Sequence, residues 1–245
     1  MKSVSDSVVV ELPVYIHVNG QHAATLFCLP TQLKELSVGW LLSQGIVKSL
    51  REVVNIKVRN NHVRITCSSR VEARIKASQA TRIVDSSCGS TEADFLFLID
   101  RITKPSVKSD YRVKPEEVLE FIKILNEKSS LFKLTGGTHS AAIFNEGKYV
   151  AFAEDVGRHN AVDKVIGAAA FKKVDFSNCV IMSSGRQPAN MVPKAARVGV
   201  PIIASIAGPV SSGIDAAKKT RVTLICFVRG QRMNVYSHPE RLEMR

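Results

Sequence analysis

Aromatic residues make up only 6% of the 245-residue chain, with a single tryptophan, so it carries no set of rings on which unpaired bases could stack. No apolar run approaches the length of a membrane span. The five cysteines are odd in number, lack metal-ligand spacing and include no C-x-x-C pair. That pattern argues against a disulfide framework and for a reducing compartment. A G-x-x-x-x-G-K phosphate loop, a Rossmann glycine fingerprint and a G-x-S-x-G elbow are all missing. His238-Pro239-Glu240 supplies half of a zinc deaminase signature, but no P-C-x-x-C follows, so no zinc is expected. The opening residues Met1 to Asp6 include an early acid and no sustained apolar stretch. The expectation is a cytoplasmic protein without a signal peptide.

What is present is an ordinary globular composition, 45% hydrophobic and 23% charged, with a formal charge of +12. Such a balance favours anionic partners: nucleic acid, a phosphorylated small molecule or an acidic protein. A solvated basic surface is the competing reading until basic residues are tied to a site.

Two regions of different patterning emerge. Residues 8–18 and 22–28 are strand-like and flank Asn19-Gly20, a hairpin signal. Leu33, Leu36, Trp40 and Leu41 share one face of a helix that stops near Gly45. Residues 53–58 and 62–67 form a second hairpin around Asn60-Asn61. The composition turns polar between Lys104 and Pro115, which sets a boundary: residues 1–110 as a smaller α+β domain, residues 111–245 as an α/β domain. In the second region Pro115, Glu116 and Glu117 open a helix whose buried side is Leu119, Ile122, Ile124 and Leu125. A hairpin then spans residues 141–153. After it, helices at residues 160–171, 189–198 and 212–219 alternate with strands at 179–183, 202–206 and 222–228. Pro193 kinks the second of these helices or marks its true start. Strand–helix–strand alternation predicts parallel neighbours in a layered α/β sheet.

In such sheets ligands bind beyond the carboxyl ends of the strands. Ser184-Gly185-Arg186-Gln187, Ala207-Gly208-Pro209 and Arg229-Gly230-Gln231-Arg232 all follow strands, as does the stretch from Glu154 to Asn160 containing Arg158 and His159. Glycine admits backbone amides to a ligand, and arginine forks match phosphate oxygens. The convergence predicts a pocket for a phosphorylated compound. His139 and His159, in glycine-flanked loops, are candidates for phosphate binding or proton transfer. Asp155 and Asp163 are expected to orient the Arg158-His159 pair, whereas His17, His22 and His62 read as strand residues.

Cys28, Cys67, Cys179 and Cys226 lie in apolar strand contexts and read as buried, inert thiols. Cys88 differs. It sits in Asp85-Ser86-Ser87-Cys88-Gly89-Ser90-Thr91-Glu92, too polar for core, with Arg82 nearby in sequence to favour a thiolate. An incidental exposed cysteine accounts for it equally well at this point.

Taken in order, Cys88-Gly89, Thr135 to His139 with Ala141-Ala142, Glu154-Asp155-Val156-Gly157-Arg158-His159-Asn160-Ala161-Val162-Asp163-Lys164, Ser184-Gly185-Arg186, Lys194-Ala195-Ala196, Phe227-Val228-Arg229-Gly230 and Asn234-Val235-Tyr236 resemble the formate dehydrogenase accessory sulfurtransferases of the FdhD type. The resemblance implies a C-terminal cytidine-deaminase-like three-layer domain that has lost its zinc. It also implies a homodimer and sulfur transfer. A cysteine desulfurase would load Cys88 as a persulfide. The acceptor would be a molybdenum or tungsten bis-pterin guanine dinucleotide destined for formate dehydrogenase. Phe227, Val228, Arg229, Gly230, Gln231 and Arg232 would lie against that cofactor, with Gly185, Arg186, His139, Arg158 and His159 completing the site. Thr91 stands where the family usually has a second cysteine. A lone thiol still accepts sulfane sulfur, because thiolate attack on a donor persulfide needs one acceptor. The alternative is a non-catalytic chaperone that binds the cofactor. Neither nucleic acid nor membrane is expected as a partner.

Overall fold

The computed structural model describes residues 5–69, 71, 72, 74 and 105–243. Cys88 and its loop lie outside the described residues.

Among the described residues, ten strands form two sheets. The smaller has the order β2-β1-β4-β3, from β1 (Leu12–Val18), β2 (Gln21–Cys28), β3 (Val53–Arg59) and β4 (His62–Cys67). Both expected hairpins are present, with Asn19 and Asn60 at positive φ in their turns. Asparagine tolerates that conformation better than most residues. The hairpins are joined by parallel pairing of β1 with β4. Helix α1 (Leu33–Ser43) lies between them in sequence and ends just before Gly45, whose φ of +70 suits a helix stop.

The larger sheet has the order β10-β9-β8-β7-β5-β6. Its strands are β5 (His139–Asn145), β6 (Lys148–Asp155), β7 (Cys179–Ser183), β8 (Ile202–Ser205), β9 (Thr223–Arg229) and β10 (Arg232–Ser237). The pairs β7–β8 and β8–β9 are parallel, as alternation with helices requires, and the outer pairs are antiparallel. Helix α2 (Pro115–Lys128) covers one face, followed by the short α3 (Ser130–Thr135). Its fully buried side is Val118, Phe121, Ile122 and Leu125. Leu119 and Ile124, expected inside, are only partly buried, because the helix turns Val118 and Phe121 onto the sheet instead. The other face carries α4 (Arg158–Phe171), α5 (Val192–Val198) and α6 (Ser211–Thr220). Pro193 sits in the first turn of α5, so it starts the helix rather than kinking it.

Alternation divides the sheet between two cores. Ala142, Phe144, Val180, Met182, Ile202, Ala204 and Ile225 face α2, while Ala141, Ile143, Ile181, Ile203, Leu224 and Cys226 face the opposite side. The second core is continuous with Val14, Ile16, Val18, Val63 and Ile65 of the small sheet. Buried nearly all round, α4 serves as the shared layer between the two sheets.

That sharing requires two glycines. A Cβ at Gly39 of α1 would overlap the carbonyl oxygen of Asp163, and one at Gly167 of α4 would overlap that of Glu35. The helices approach until backbone meets backbone, which only a hydrogen side chain allows. Gly167→Ala should therefore lower stability by about 1–3 kcal/mol or more, the cost of overpacking a tight core. A urea midpoint that stays unchanged would refute this close crossing.

Candidate functional site

The antiparallel and parallel pairings place specific strand ends on one edge of the large sheet. The carboxyl ends of β6, β7, β8 and β9 and the start of β5 all lie there. This edge brings together His139, Arg158, Ser184, Gly185, Arg186, Gly208, Phe227 and Arg229.

Its scaffold is a set of turns held by hydroxyls. Ser183 Oγ accepts from Gly185 N at 3.1 Å, and Ser205 Oγ donates to Gly185 O at 2.7 Å and accepts from Ala207 N. Gln187 N donates to Gly208 O, and Val210 N to Gln187 O, so the β7 and β8 turns are stitched to each other. Gln187 is completely buried; its Nε2 donates to Gly185 O, and its Oε1 has no hydrogen-bond partner among the described residues. A buried acceptor left unsatisfied is costly and marks a place where a donor fits. Sequence reasoning placed Gln187 in the loop after β7 but gave its side chain and the hydroxyls of Ser183 and Ser205 no role, since one buried amide in a loop leaves no pattern.

On this scaffold sit the cationic groups. The Arg158 side chain lies against Gly185, where an added Cβ would stand 2.7 Å from Arg158 Cβ. Ser184 Oγ accepts from Ser140 N at 2.9 Å and lies 3.3 Å from His139 Nδ1. Burial, then the positive charges of Arg158 and Arg186, lower the His139 pKa. Arg186 itself is exposed.

The β9 end is distorted. Phe227 has a φ of +54, uncommon for a bulky side chain, while its N–H still bonds Ala207 O. The twist aims the ring at Gly208, where a Cβ would come within 2.7 Å of Phe227 Cζ. Arg229 Nε donates to Ile206 O at 3.1 Å, and its guanidinium stands 6.0 Å from the Phe227 ring centroid. Gly230 and Gln231 form the turn into β10, with Arg232 opposite Arg229. Val228 points the other way, into the core beneath α2, and offers the edge only its backbone.

The block from Glu154 to Lys164 serves a different purpose from the expected one. Asp155 does not pair with Arg158 or His159: it pairs with Lys164 at 2.7 Å and accepts from Leu29 N, Gly157 N and Asn160 Nδ2, so it bears on Arg158 only through the turn it fixes. Asp163 pairs with Lys194 at 2.7 Å and accepts from Ser43 Oγ at 2.6 Å. Glu154 receives Leu131 N, Phe132 N and the Thr138 hydroxyl, closing the start of α3. Opposite charges attract more strongly where burial lowers the effective dielectric, and Lys164 and Lys194 are the buried ammoniums that meet these carboxylates. His159 turns inward, with Nε2 3.0 Å from Asn190 Oδ1, and burial pushes its pKa down to about 3, so it stays neutral.

The four described cysteines are buried, with burial raising Cys28, Cys179 and Cys226 to about 12 and Cys67 to about 11. None is a thiolate at neutral pH. Among the described residues no group of three or more His, Cys, Asp or Glu is placed to hold a metal. None of their helices is long and apolar enough to cross a membrane.

Residues 9–243 match the sequence model of the FdhD/NarQ family. The chain belongs to that family. It is 38% identical over 244 residues to "Sulfur carrier protein FdhD" of Saccharolobus solfataricus, covering 97% of this chain and 91% of the relative. It is 35% identical over 245 residues to the protein of the same name from Staphylococcus haemolyticus, covering 98% and 90%. A crystal structure of a proposed formate dehydrogenase accessory protein from Desulfotalea psychrophila superposes with a TM-score of 0.79. That match is at 29% identity and covers 97% of this chain and 91% of that one. In this FdhD/NarQ chain the long E-D-V-G-R-H-N-A-V-D-K block is chiefly the joint between the two sheets, and the shorter Gly-Arg turns supply the open edge.

The buried neutral His159 carries a pH signature. Its folded pKa lies below the ordinary 6.5, so the unfolded chain takes up the proton first and stability falls as pH drops from 6.5 toward 3. His159→Gln should flatten that decline in urea titrations between pH 6.5 and 4. An unaltered slope would show that the imidazole is not held neutral.

Proposed function

We propose that this chain is a sulfur carrier for formate dehydrogenase maturation, taking sulfane sulfur from a cysteine desulfurase on Cys88. It then gives that sulfur to a molybdenum or tungsten bis-pterin guanine dinucleotide, with the large sheet in a cytidine-deaminase-like domain. The observation that carries the reading is the open edge: Arg158, Arg186 and Arg229 gathered around Gly185 and Gly208 in a member of the FdhD/NarQ family. The names of the relatives support the sulfur role, and the crystallographic neighbour supports the accessory role.

In the first step the Cys88 thiolate attacks the outer sulfur of the desulfurase persulfide, whose own cysteine leaves as a thiolate. In the second, an electron pair of the acceptor forms the bond to that sulfur and Cys88 leaves as its thiolate. No second cysteine is needed, consistent with Thr91 three residues on from Cys88 in sequence. The edge would hold the guanine dinucleotide: guanidinium forks on phosphate oxygens, glycine backbone close to the ligand, and the Phe227 ring as an apolar face. His139, whose pKa is lowered by burial and then by Arg158 and Arg186, is a hydrogen-bonding group there. The unsatisfied Gln187 Oε1 is a free acceptor on the side chain whose Nε2 holds Gly185 O. The chaperone alternative rests on Thr91 and keeps the binding edge without the sulfur step.

Two measurements test the reading. After incubation with a cysteine desulfurase and cysteine, mass spectrometry should find one added sulfur on wild type and none on Cys88→Ala. Cys179→Ala should load normally and lose about 1 kcal/mol of stability for its deleted buried sulfur. Wild type that binds nucleotide yet takes up no sulfur would favour the chaperone. In calorimetric titrations with guanosine diphosphate, Arg229→Ala should weaken binding by about 1–3 kcal/mol, the range for a lost charge-assisted contact. Equal affinities would remove Arg229 from the site.

A further inference from the structure

The outer face of the small sheet carries charge that the sulfur-carrier reading does not use. Strand register sets His22, His17, Arg64 and Lys57 in one row, one residue from each of the four strands. The neighbouring row is Thr25, Tyr15, His62 and Arg59. Both rows face outward, because the residues alternating with them, Val14, Ile16, Val18, Val63 and Ile65, are buried. Neither row contains a carboxylate. Lys57 and Arg64 are direct cross-strand partners, an opposition that weakens a sheet. No ion pair to Lys57, Arg59 or Arg64 exists among the described residues. Carboxylates at the ends of the sheet are engaged elsewhere: Glu52 with Arg74 and Lys48 N, Glu72 with Asn19 Nδ2.

A cavity of about 490 Å³ opens on the first row, lined by His17, Gly20, Asn55, Lys57, Arg64 and Thr66. The rings beside it are fixed: Tyr15 stacks on His62 at 4.9 Å, and His62 on His17 at 5.9 Å. Burial, then His22, His62 and Arg64, lower the His17 pKa, a sign of positive potential concentrated at the row.

We propose that this face is a binding site for a small polyanion carrying two or more phosphate groups, held across the strands by Lys57, Arg64 and His17. At the usual strand spacing the row is about 14 Å long, enough to meet several phosphates at once. The guanidinium and ammonium groups match phosphate oxygens, and Asn55 and Thr66 add neutral hydrogen-bonding groups. A concave polar pocket of this size suits a small molecule better than the flat surface of an acidic protein. A bound anion would also offset the repulsion between Lys57 and Arg64. The site lies on a different sheet from Arg186 and Arg229 and stands independently of the sulfur-carrier reading.

The experiment uses inorganic tripolyphosphate as probe in calorimetry of the full chain, in an Arg186→Ala/Arg229→Ala background that weakens the other basic edge. One tripolyphosphate should still bind there, and adding Lys57→Ala and Arg64→Ala should weaken it tenfold or more. Lys57→Ala alone should raise the melting temperature of the unliganded protein at low salt, showing that the variants fold and that the repulsion is real. Citrate, with its charge on carboxylates, should bind at least tenfold more weakly than tripolyphosphate. Binding that survives loss of Lys57 and Arg64, equal affinity for citrate, or no binding at all would overturn the proposal. So would an acidic peptide or an oligonucleotide that tripolyphosphate cannot displace from this face.

Discussion

Two ion pairs withdrawn from water hold the molecule together: Lys164 with Asp155 and Lys194 with Asp163. Desolvating four charges costs several kcal/mol per ion, so pairing alone would not sustain them. Each has further partners. Lys164 Nζ also reaches Leu29 O and Glu154 O, Asp155 gathers two backbone N–H groups and the Asn160 amide, and Lys194 meets both Asp163 oxygens and Ser43. Those partners come from the end of β2, α1, β6, α4 and α5, so satisfying the charges fixes how five elements meet. Gly39 and Gly167 belong to the same constraint, because α1 must approach α4 closely for Ser43 to reach Asp163.

The open edge depends on this joint. Asp155 and Asn160 lock the turn from β6 into α4, and the first residue of that helix is Arg158, which is thereby laid across Gly185. From the other side, hydroxyls of Ser183, Ser184 and Ser205 hold the β7 and β8 turns. Cationic groups are thus gathered where backbone turns, rather than flexible side-chain pairs, set their positions. That preorganisation suits an anionic ligand, since little ordering cost remains at binding. Burial first lowers the pKa of both imidazoles nearby, helped by Arg158 and Arg186 at His139 and by Lys194 at His159.

Much of the architecture was legible in the sequence. Asn-Gly and Asn-Asn turns, alternating apolar strands and a Pro-Glu-Glu helix start are local signals, and each produced its element. The inertness of Cys28, Cys67, Cys179 and Cys226 was equally readable from their apolar neighbours. Glycine-arginine turns after strands located the edge, because the topology of parallel strands puts those turns side by side. The roles of Asp155 and Asp163 were not legible. Arg158 and His159 are their neighbours in sequence, but Lys164 lies nine residues on from Asp155, inside α4, and Lys194 on another helix. The parallel union of β1 with β4 left no trace either, since it depends on a long-range pairing between two hairpins.

The sequence by itself determined the elements, the layered α/β character of the second half and the family, all of which rest on short-range patterns or on the order of motifs along the chain. Tertiary structure alone decided which charges met. It turned the longest motif inward as a joint, aimed Phe227 over Gly208 and lined up His22, His17, Arg64 and Lys57 across four strands. The physical reason is that electrostatic and steric partnerships are set by distance through space. A chain reports distance only between neighbours in sequence, and packing brings together residues more than a hundred positions apart, as it does Leu29 and Lys164.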